Sequence, residues 1–490
     1  MNIVIGAGLG GLSAAIVLAA RGERVTVLEQ LDRPGGKMGE HMAEGFRWDT
    51  GPSVLTMRDV YEQLFALAGR RIEDYVELVP LQPVTRYFWR EGTVLDATID
   101  RSEMRRQIRE FSPRDVDRYD AFMDYAARLF ATVKEPFLYR RKPALRDLLR
   151  LPLRDTLKID ALRTMSRSTE AAFHDPRLRQ LFNRFATYNG SSPYKVPATL
   201  NSIAHVEMGA GAFYPRGGMV RMAQAYENLA RELGVEIRCG ATVRRICVEG
   251  GRAVGVELAG VPESERLLHA DAVVCNVDYV HARARFLDAG PSTRLEPSCS
   301  GFVLMLGVRG VHEQLAHHNI FFNANYKREF DDIFERRVPC EDPTLYVCIT
   351  SRSDPSHAPA GCENWFVLVN APYLSEAWDW QIHAASYAAH IRSLLERHAG
   401  LDPAAVMYEK VFTPADLQRT YGGNRGAIYG FSSNGMAAAF LRPDNRDAEI
   451  RGLYYAGGST HPGGGVPLVT LSGRAAAECL LEDRGVGSRK

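Results

Sequence analysis

The hydrophobic period changes twice within the first 29 residues. Residues 2–5 read as a short buried strand, 6–11 are glycine-rich, 12–21 carry Leu, Ala and Ile at helical spacing, and 24–29 return to a β-branched strand pattern. Strand, tight turn, helix and strand make a βαβ unit, which requires a parallel sheet with a helix on its face. From about 70 to 200 the chain turns Arg-rich and Leu-rich, with helical spacing and few β-branched runs, and predicts an inserted helical region. Beyond Gly217 and Gly218 the alternating style resumes. A helix is expected over 219–233, closed by Gly234, then strands over 235–238, 242–248, 253–258 and 272–275. Strand-like runs in 300–309 and 344–370 suggest a second, more antiparallel sheet. The last forty residues hold a strand at 453–456, a glycine-rich loop and a helix over 470–482. No internal repeat is present.

Residues 3–20 are uncharged, long enough to raise the question of a membrane span or signal peptide. No basic residues precede the run, and Gly6, Gly8, Gly10 and Gly11 interrupt it, so the pattern opposes both readings and limits membrane contact to the periphery. With 490 residues, the chain exceeds the size at which one core keeps growing. Its 46% hydrophobic and 24% charged residues are those of a globular protein. Sixty Lys and Arg against 59 Asp and Glu leave a net charge of +1, so no overall field exists to hold nucleic acid. The eight cysteines show no CxxC spacing and begin only at Cys239, which reads as reduced, mostly buried thiols of a cytoplasmic protein, with no metal site.

Gly6-Ala7-Gly8-Leu9-Gly10-Gly11 lies between strand and helix, and Glu29 ends the second strand. Gly6 permits the tight turn, Gly8 lets a pyrophosphate approach the backbone, Gly11 lets helix and strand pack, and the helix N-terminus offers aligned N–H donors. Glu29 can accept hydrogen bonds from an adenosine ribose. These residues point to a dinucleotide.

The continuation Glu29, Arg33, Gly35, Gly36 and Lys37 resembles the extended fingerprint of the amine-oxidase-type flavoproteins, with Asp49, Gly51 and Pro52 standing where that family brings a turn beside the isoalloxazine. The end of the chain is more specific. Tyr454 to Pro467, which includes Gly457, Gly458, His461, Gly463, Gly464, Gly465 and Val466, resembles the carotenoid desaturases of the bacterial phytoene and diapophytoene desaturase type. So do Phe213 to Met219, Tyr188 to Tyr194, and Arg442 to Arg446. The resemblance covers nearly the whole chain and implies an α/β fold: a Rossmann-like FAD-binding domain of the two-domain type shared by amine oxidases and GTPase escort proteins, a mixed-sheet substrate domain, and a helical membrane-associating insertion. FAD binding is expected from segments 1–70, 200–290 and 430–490, the helical region from 71–199, and the substrate sheet from 291–429. By resemblance, Val243 would offer its backbone to the adenine side. Gly465, Val466 and Pro467 would bring a helix N-terminus to the flavin, where it favours negative charge.

The implied activity is FAD-dependent, stepwise removal of hydrogens from a long polyisoprenoid such as phytoene (C40) or diapophytoene (C30), with hydride passing to flavin. The alternatives are a carotenoid terminal-methyl oxidase or hydroxycarotenoid desaturase of the same family and, more distantly, a non-catalytic prenyl-lipid carrier. Substrate would come from a lipid bilayer surface, and oxygen or a quinone would accept the electrons. No catalytic side chain stands out.

The segment 137–163 sets basic groups every three to five residues among leucines, suited either to an anionic bilayer surface or to a solvated helix face. His317 and His318 read as a solvated loop, since adjacent side chains point different ways and no carboxylate sits at metal spacing. His461 could relay a proton or be structural. Arg163 and Arg167 read as surface residues, and His205 with Glu207 stays open between packing and function.

Overall fold

The computed structural model describes residues 1–140, 159–289, 295–435 and 438–485. The first strand, β1 (Asn2–Ile5), the helix α1 (Leu9–Ala20) and the second strand, β2 (Val25–Leu28), form the expected βαβ unit. They seed a five-stranded sheet, ordered Leu453–Tyr455, Ala272–Cys275, β1, β2, Glu236–Arg238, with every pairing parallel. All three of its inner strands are wholly buried, as a parallel sheet covered on two faces requires. One sheet is thus assembled from three separated stretches of chain.

The helix α1 starts at Leu9, inside the glycine run, three residues before the pattern predicted. Close packing explains why poor helix formers open it. A Cβ on Gly11 would stand 2.1 Å from the carbonyl oxygen of Gly6, and one on Gly473 would stand 2.0 Å from that of Gly10. Gly473 belongs to the last helix, Val466–Asp483, which lies against α1 and receives a hydrogen bond at the Thr470 carbonyl from Ser13 Oγ (2.8 Å). This helix too begins four residues earlier than expected, at Val466, with Pro467 in its first turn, where a missing N–H costs nothing.

The second sheet has seven strands, ordered Val406–Phe412, Ser300–Arg309, Cys362–Ala371, Leu345–Ile349, His318–Phe321, Thr85–Phe88, Val94–Ala97. Its pairings are antiparallel except that of His318–Phe321 with Thr85–Phe88, so the antiparallel expectation holds. The two strands within 85–97 correct the reading of 70–200 as helical. Each is four residues long, and the Arg86–Asp96 ion pair across them (2.6 Å) occupies positions whose charges mask the alternation. The helical part of that stretch is built on Val116–Val133, which buries Phe122, Met123 and Ala126 in one cluster with Phe173 and Phe182. Of the basic segment 137–163, residues 141–158 lie outside the described residues.

All eight cysteines are free thiols, and five of them are buried, in keeping with the sequence. Among the described residues no helix is long and apolar enough to cross a membrane.

The glycine crossing makes a direct demand. Gly473→Ala forces a methyl group against backbone that cannot retreat without separating two helices, and is expected to lower the unfolding free energy by about 1–3 kcal/mol. A chemical-denaturation midpoint reads this, and an unchanged midpoint would mean that the helix contact is loose.

Candidate cofactor and substrate cavity

A cavity of about 690 Å³ opens where the carboxyl ends of the parallel strands converge and continues beneath the seven-stranded sheet. At its first end the wall is bare backbone from Gly6, Gly8, Gly10, Gly35 and Gly36. Gly6 makes its turn at φ +92°, and Gly35, at φ +118°, donates its N–H to the Ala7 carbonyl (2.9 Å), which lays the second glycine pair beside the first. Behind them stands Asn276, the residue after Ala272–Cys275. A Cβ on Gly8 would meet its Nδ2 at 2.8 Å, and one on Gly10 its Oδ1 at 2.5 Å.

Among the described residues no side chain caps α1 or the terminal helix; Gly8 and Gly465 occupy the two cap positions, and both line the cavity. The first-turn N–H groups of two helices are therefore directed at one space, as an anion requires. Glu29 is buried with each oxygen engaged, Oε2 by the Ala7 N–H (2.7 Å) and Oε1 by the Leu31 N–H (2.9 Å). A carboxylate oxygen has a second lone pair, so both remain able to accept from ribose hydroxyls. These features fit an FAD: unobstructed glycine backbone and two uncapped helix ends for the diphosphate, and a fixed carboxylate for the ribose.

Gly51, Pro52, Val243, Gly457, Gly458, Val466 and Pro467 also face the cavity, as does Lys37. Three of the predicted residues do not. Ala7 holds Glu29 through its backbone, Gly11 packs on Gly6, and Arg33 is exposed, its guanidinium on the Glu40 carbonyl (3.2 Å). The Lys37 amine donates to the Ile428 carbonyl (2.6 Å); burial lowers its pKa, and the nearby Asp278 opposes that shift. Asp278 caps Tyr279–Phe286, and its own pKa is raised by burial. Arg442 is buried on the carbonyls of Gly458 (2.9 Å) and Phe431 (3.1 Å), with its pKa drawn down by burial to about 10. The loop that carries Gly457 to Gly465 is pinned by Asn445, which is fully buried. Its Nδ2 donates to the carbonyls of Tyr455 (3.0 Å) and His461 (3.1 Å). His461 lies on the cavity wall, its Nε2 3.1 Å from the Arg140 carbonyl.

The far part of the cavity is mainly apolar, lined by Phe130, Val133, Leu138, Leu200, Ile203, Val206, Val303, Phe366 and Leu368. A buried charged group interrupts it. Arg184, buried, donates to Glu207 (2.7 Å) and to Tyr87 Oη (2.8 Å), while Tyr188 Oη donates to the other Glu207 oxygen. Glu207 is thus a paired, buried carboxylate of the cavity wall, whereas His205 sits beside the Phe130 ring with its pKa lowered by burial. Arg163 pairs with Asp160 (2.7 Å) and Arg167 is exposed, the surface placement the sequence suggested.

His317 and His318 overturn their sequence reading. Both are buried rather than solvated, and their ring centroids are 4.4 Å apart. The strand begins at His318, so the rule that adjacent side chains point to opposite faces does not reach back to His317. Burial draws His317 down to about 3 and His318 well below the usual histidine range, so both rings are neutral.

Asn276, Asp278 and Arg442 acquire their roles only here. The first two follow directly on a predicted strand, a position at the strand's carboxyl end that could have marked them.

The family model for flavin-containing amine oxidoreductases matches residues 9–481. The chain is 38% identical to a 4,4'-diapolycopene oxygenase of Methylomonas sp, over 98% of this chain and 98% of that protein. It is 36% identical to a zeta-carotene-forming phytoene desaturase of Myxococcus xanthus, over 98% of this chain and 93% of the relative. Among solved structures, cyclohexylamine oxidase from Brevibacterium oxydans IH-35A superposes with a TM-score of 0.60 at 18% identity, covering 99% of each chain, a likeness of fold.

Two outcomes follow from the wall residues. Glu29→Ala removes charge-assisted hydrogen bonds worth about 1.5–3 kcal/mol each, and is expected to weaken FAD binding about tenfold or more; flavin titration of the folded apoprotein checks this. Behind the cavity residues Thr344 and Asn370, Glu329 accepts from Thr344 Oγ1 (2.7 Å), Asn370 Nδ2 (3.1 Å) and Asn323 Nδ2 (2.7 Å), yet burial raises its pKa from 4.5 to about 7. Between those values the folded chain holds a proton that the unfolded chain lacks. Stability therefore falls as pH rises from 4.5 to 7, by at most about 1.4 kcal/mol per pH unit from this group, and the loss is complete above 7. Glu329→Gln is expected to flatten that part of the stability profile, as measured by denaturation at a series of pH values.

Proposed function

The chain belongs to the family of flavin-containing amine oxidoreductases, and on that premise we propose that it is a carotenoid desaturase, removing hydrogens stepwise from a long polyisoprenoid such as phytoene (C40) or diapophytoene (C30). As a member it is an FAD-dependent oxidoreductase. The observation that carries the substrate class is the continuity of one cavity, from the glycine cradle to the long apolar wall. A relative 36% identical over nearly its whole length is named for phytoene desaturation.

When bound, FAD supplies two-electron chemistry, with one hydrogen leaving an allylic segment as hydride and its neighbour as a proton. The protein's residues then have positioning work. Glu29 and the two uncapped helix ends would hold the ribose and diphosphate, while the backbone at Gly51, Pro52, Gly464 and Gly465 would flank the ring system. Phe130, Val133, Ile203 and Val206 would align an extended chain and exclude water.

A hydrocarbon of this length has almost no aqueous concentration, which supports withdrawal from a bilayer by a protein bound at its surface. The cavity residues Ile159 and Ala161 adjoin Leu162, which is 86% exposed, and a mouth there would open onto the lipid. Oxygen or a membrane quinone would accept the electrons.

A second reading, a carotenoid terminal-methyl oxidase or hydroxycarotenoid desaturase, is favoured by the buried Arg184 and Glu207, with Tyr188 bonded to Glu207, on a mainly apolar wall. It is in keeping with the oxygenase named among the relatives. The deciding experiment places FAD-loaded protein on anaerobic liposomes containing phytoene, diapophytoene or a hydroxylated carotene. Flavin bleaching with growth of a longer polyene absorption on a hydrocarbon is the expected result. Bleaching on the oxygenated substrate alone would replace the first reading with the second, and flavin that stays oxidised on all three would overturn both.

A further inference from the structure

Next to the cavity, strand pairing gathers three ligand-type side chains. His318 lies directly opposite Cys348 in the antiparallel register of His318–Phe321 with Leu345–Ile349, so their side chains share a face of the sheet. His317, just ahead of the strand, folds its ring edge-on against that of His318 (74° between planes). One donor atom from each of the three residues lies within 4.8 Å of the others, and all three residues are buried.

The hydrogen bonding around them is incomplete in a particular way. His317 Nδ1 is 2.7 Å from Ser353 Oγ, and His318 Nδ1 is 2.8 Å from Tyr346 Oη, which itself lies 2.5 Å from Ser53 Oγ. The Nε2 atoms of both rings are buried and have no hydrogen-bond partner among the described residues. Buried polar atoms are rarely left this way, and two of them on rings that cluster with a thiol require an explanation. With each Nδ1–H donating to its hydroxyl, each Nε2 presents a lone pair. Metal-ligating histidines are oriented in the same manner, by donating the far ring N–H to an oxygen acceptor.

We propose that His317, His318 and Cys348 bind one zinc ion. Two imidazole nitrogens and a thiolate are a donor set for a borderline-soft cation, and three protein ligands leave a fourth tetrahedral position. Binding would form one Zn–S bond and two Zn–N bonds, with the Cys348 thiol proton released to solvent. His318 and Tyr346 line the large cavity, where water or an oxygen of a bound molecule could take the fourth position. His317 and Ser353 line a separate cavity of about 270 Å³, together with Pro83, Glu313 and Ala316, which provides an approach from another side. The site is distinct from the glycine cradle and does not depend on the substrate reading.

The test uses full-length, FAD-loaded protein dialysed first against a chelator and then against Zn²⁺. Mass spectrometry of the metal should find one zinc per chain, and zinc-edge X-ray absorption should show one sulfur at about 2.3 Å and nitrogens at about 2.0 Å. Cys348→Ser should erase the sulfur shell, and His317→Gln should weaken zinc binding about tenfold or more, with flavin content retained in both. Wild-type protein that takes up no zinc, or zinc without a sulfur neighbour, overturns the proposal even if the variants fail to fold. Undiminished zinc in folded variants overturns it as well.

Discussion

The constraint on which the structure rests is backbone against backbone at the crossing of α1 with the last helix. The carbonyl of Gly10 occupies the space a side chain on Gly473 would need, and the carbonyl of Gly6 does the same to Gly11. Contact this close brings two helix N-termini to one end of the parallel sheet, where Gly8 and Gly465 leave both uncapped. Asn276 fills the remaining angle, a donor and acceptor wedged among glycines that have no room for anything larger. The anion-holding character of the cavity is therefore a product of helix packing, and its dipoles are fixed before any ligand arrives.

The cavity wall also shows how charge can be kept without creating a field. Arg184 meets Glu207 and Lys37 lies near Asp278, and away from the wall Arg47 is held by Asp49 (2.7 Å) and Glu40 (2.9 Å). Asp49 also accepts from the Met219 N–H (2.9 Å) and Tyr214 Oη (2.6 Å), which ties the first hundred residues to the helix at Val220–Glu232. Removing one partner from such a group would strand a buried charge, so these clusters fix geometry more than they add stability. An apolar chain can lie along the Arg184–Glu207 stretch of the wall without facing an unbalanced ion.

Much of this was legible in the sequence, for identifiable reasons. The βαβ unit shows because its period changes sharply, and Gly6, Gly8, Gly35 and Glu29 show because few other residue types can do their work. The helix starts were missed by three or four residues because Gly10, Gly11 and Pro467 look like turn residues until the partner helix or the free first turn is known. The strands Thr85–Phe88 and Val94–Ala97 escaped because four residues with a charged pair on them carry too little pattern. Asn276, Asp278 and Arg442 are single polar residues whose meaning depends on where distant strand ends converge. His317 and His318 were misjudged because a rule for regular strands was applied to a residue just outside one.

The parallel sheet that carries the cradle is threaded through the chain in the order of its making. β1 must pair with Ala272–Cys275, and the sheet is finished only by Leu453–Tyr455. During synthesis the glycine motif and the uncharged α1 emerge well before the rest of their sheet, and wait for several hundred further residues before the helix that covers them exists. Such long-range closure is slow and leaves apolar surface open on the nascent chain. A later stretch of polypeptide thus completes an earlier one, and the apolar surface of α1 stays open in the interval between them.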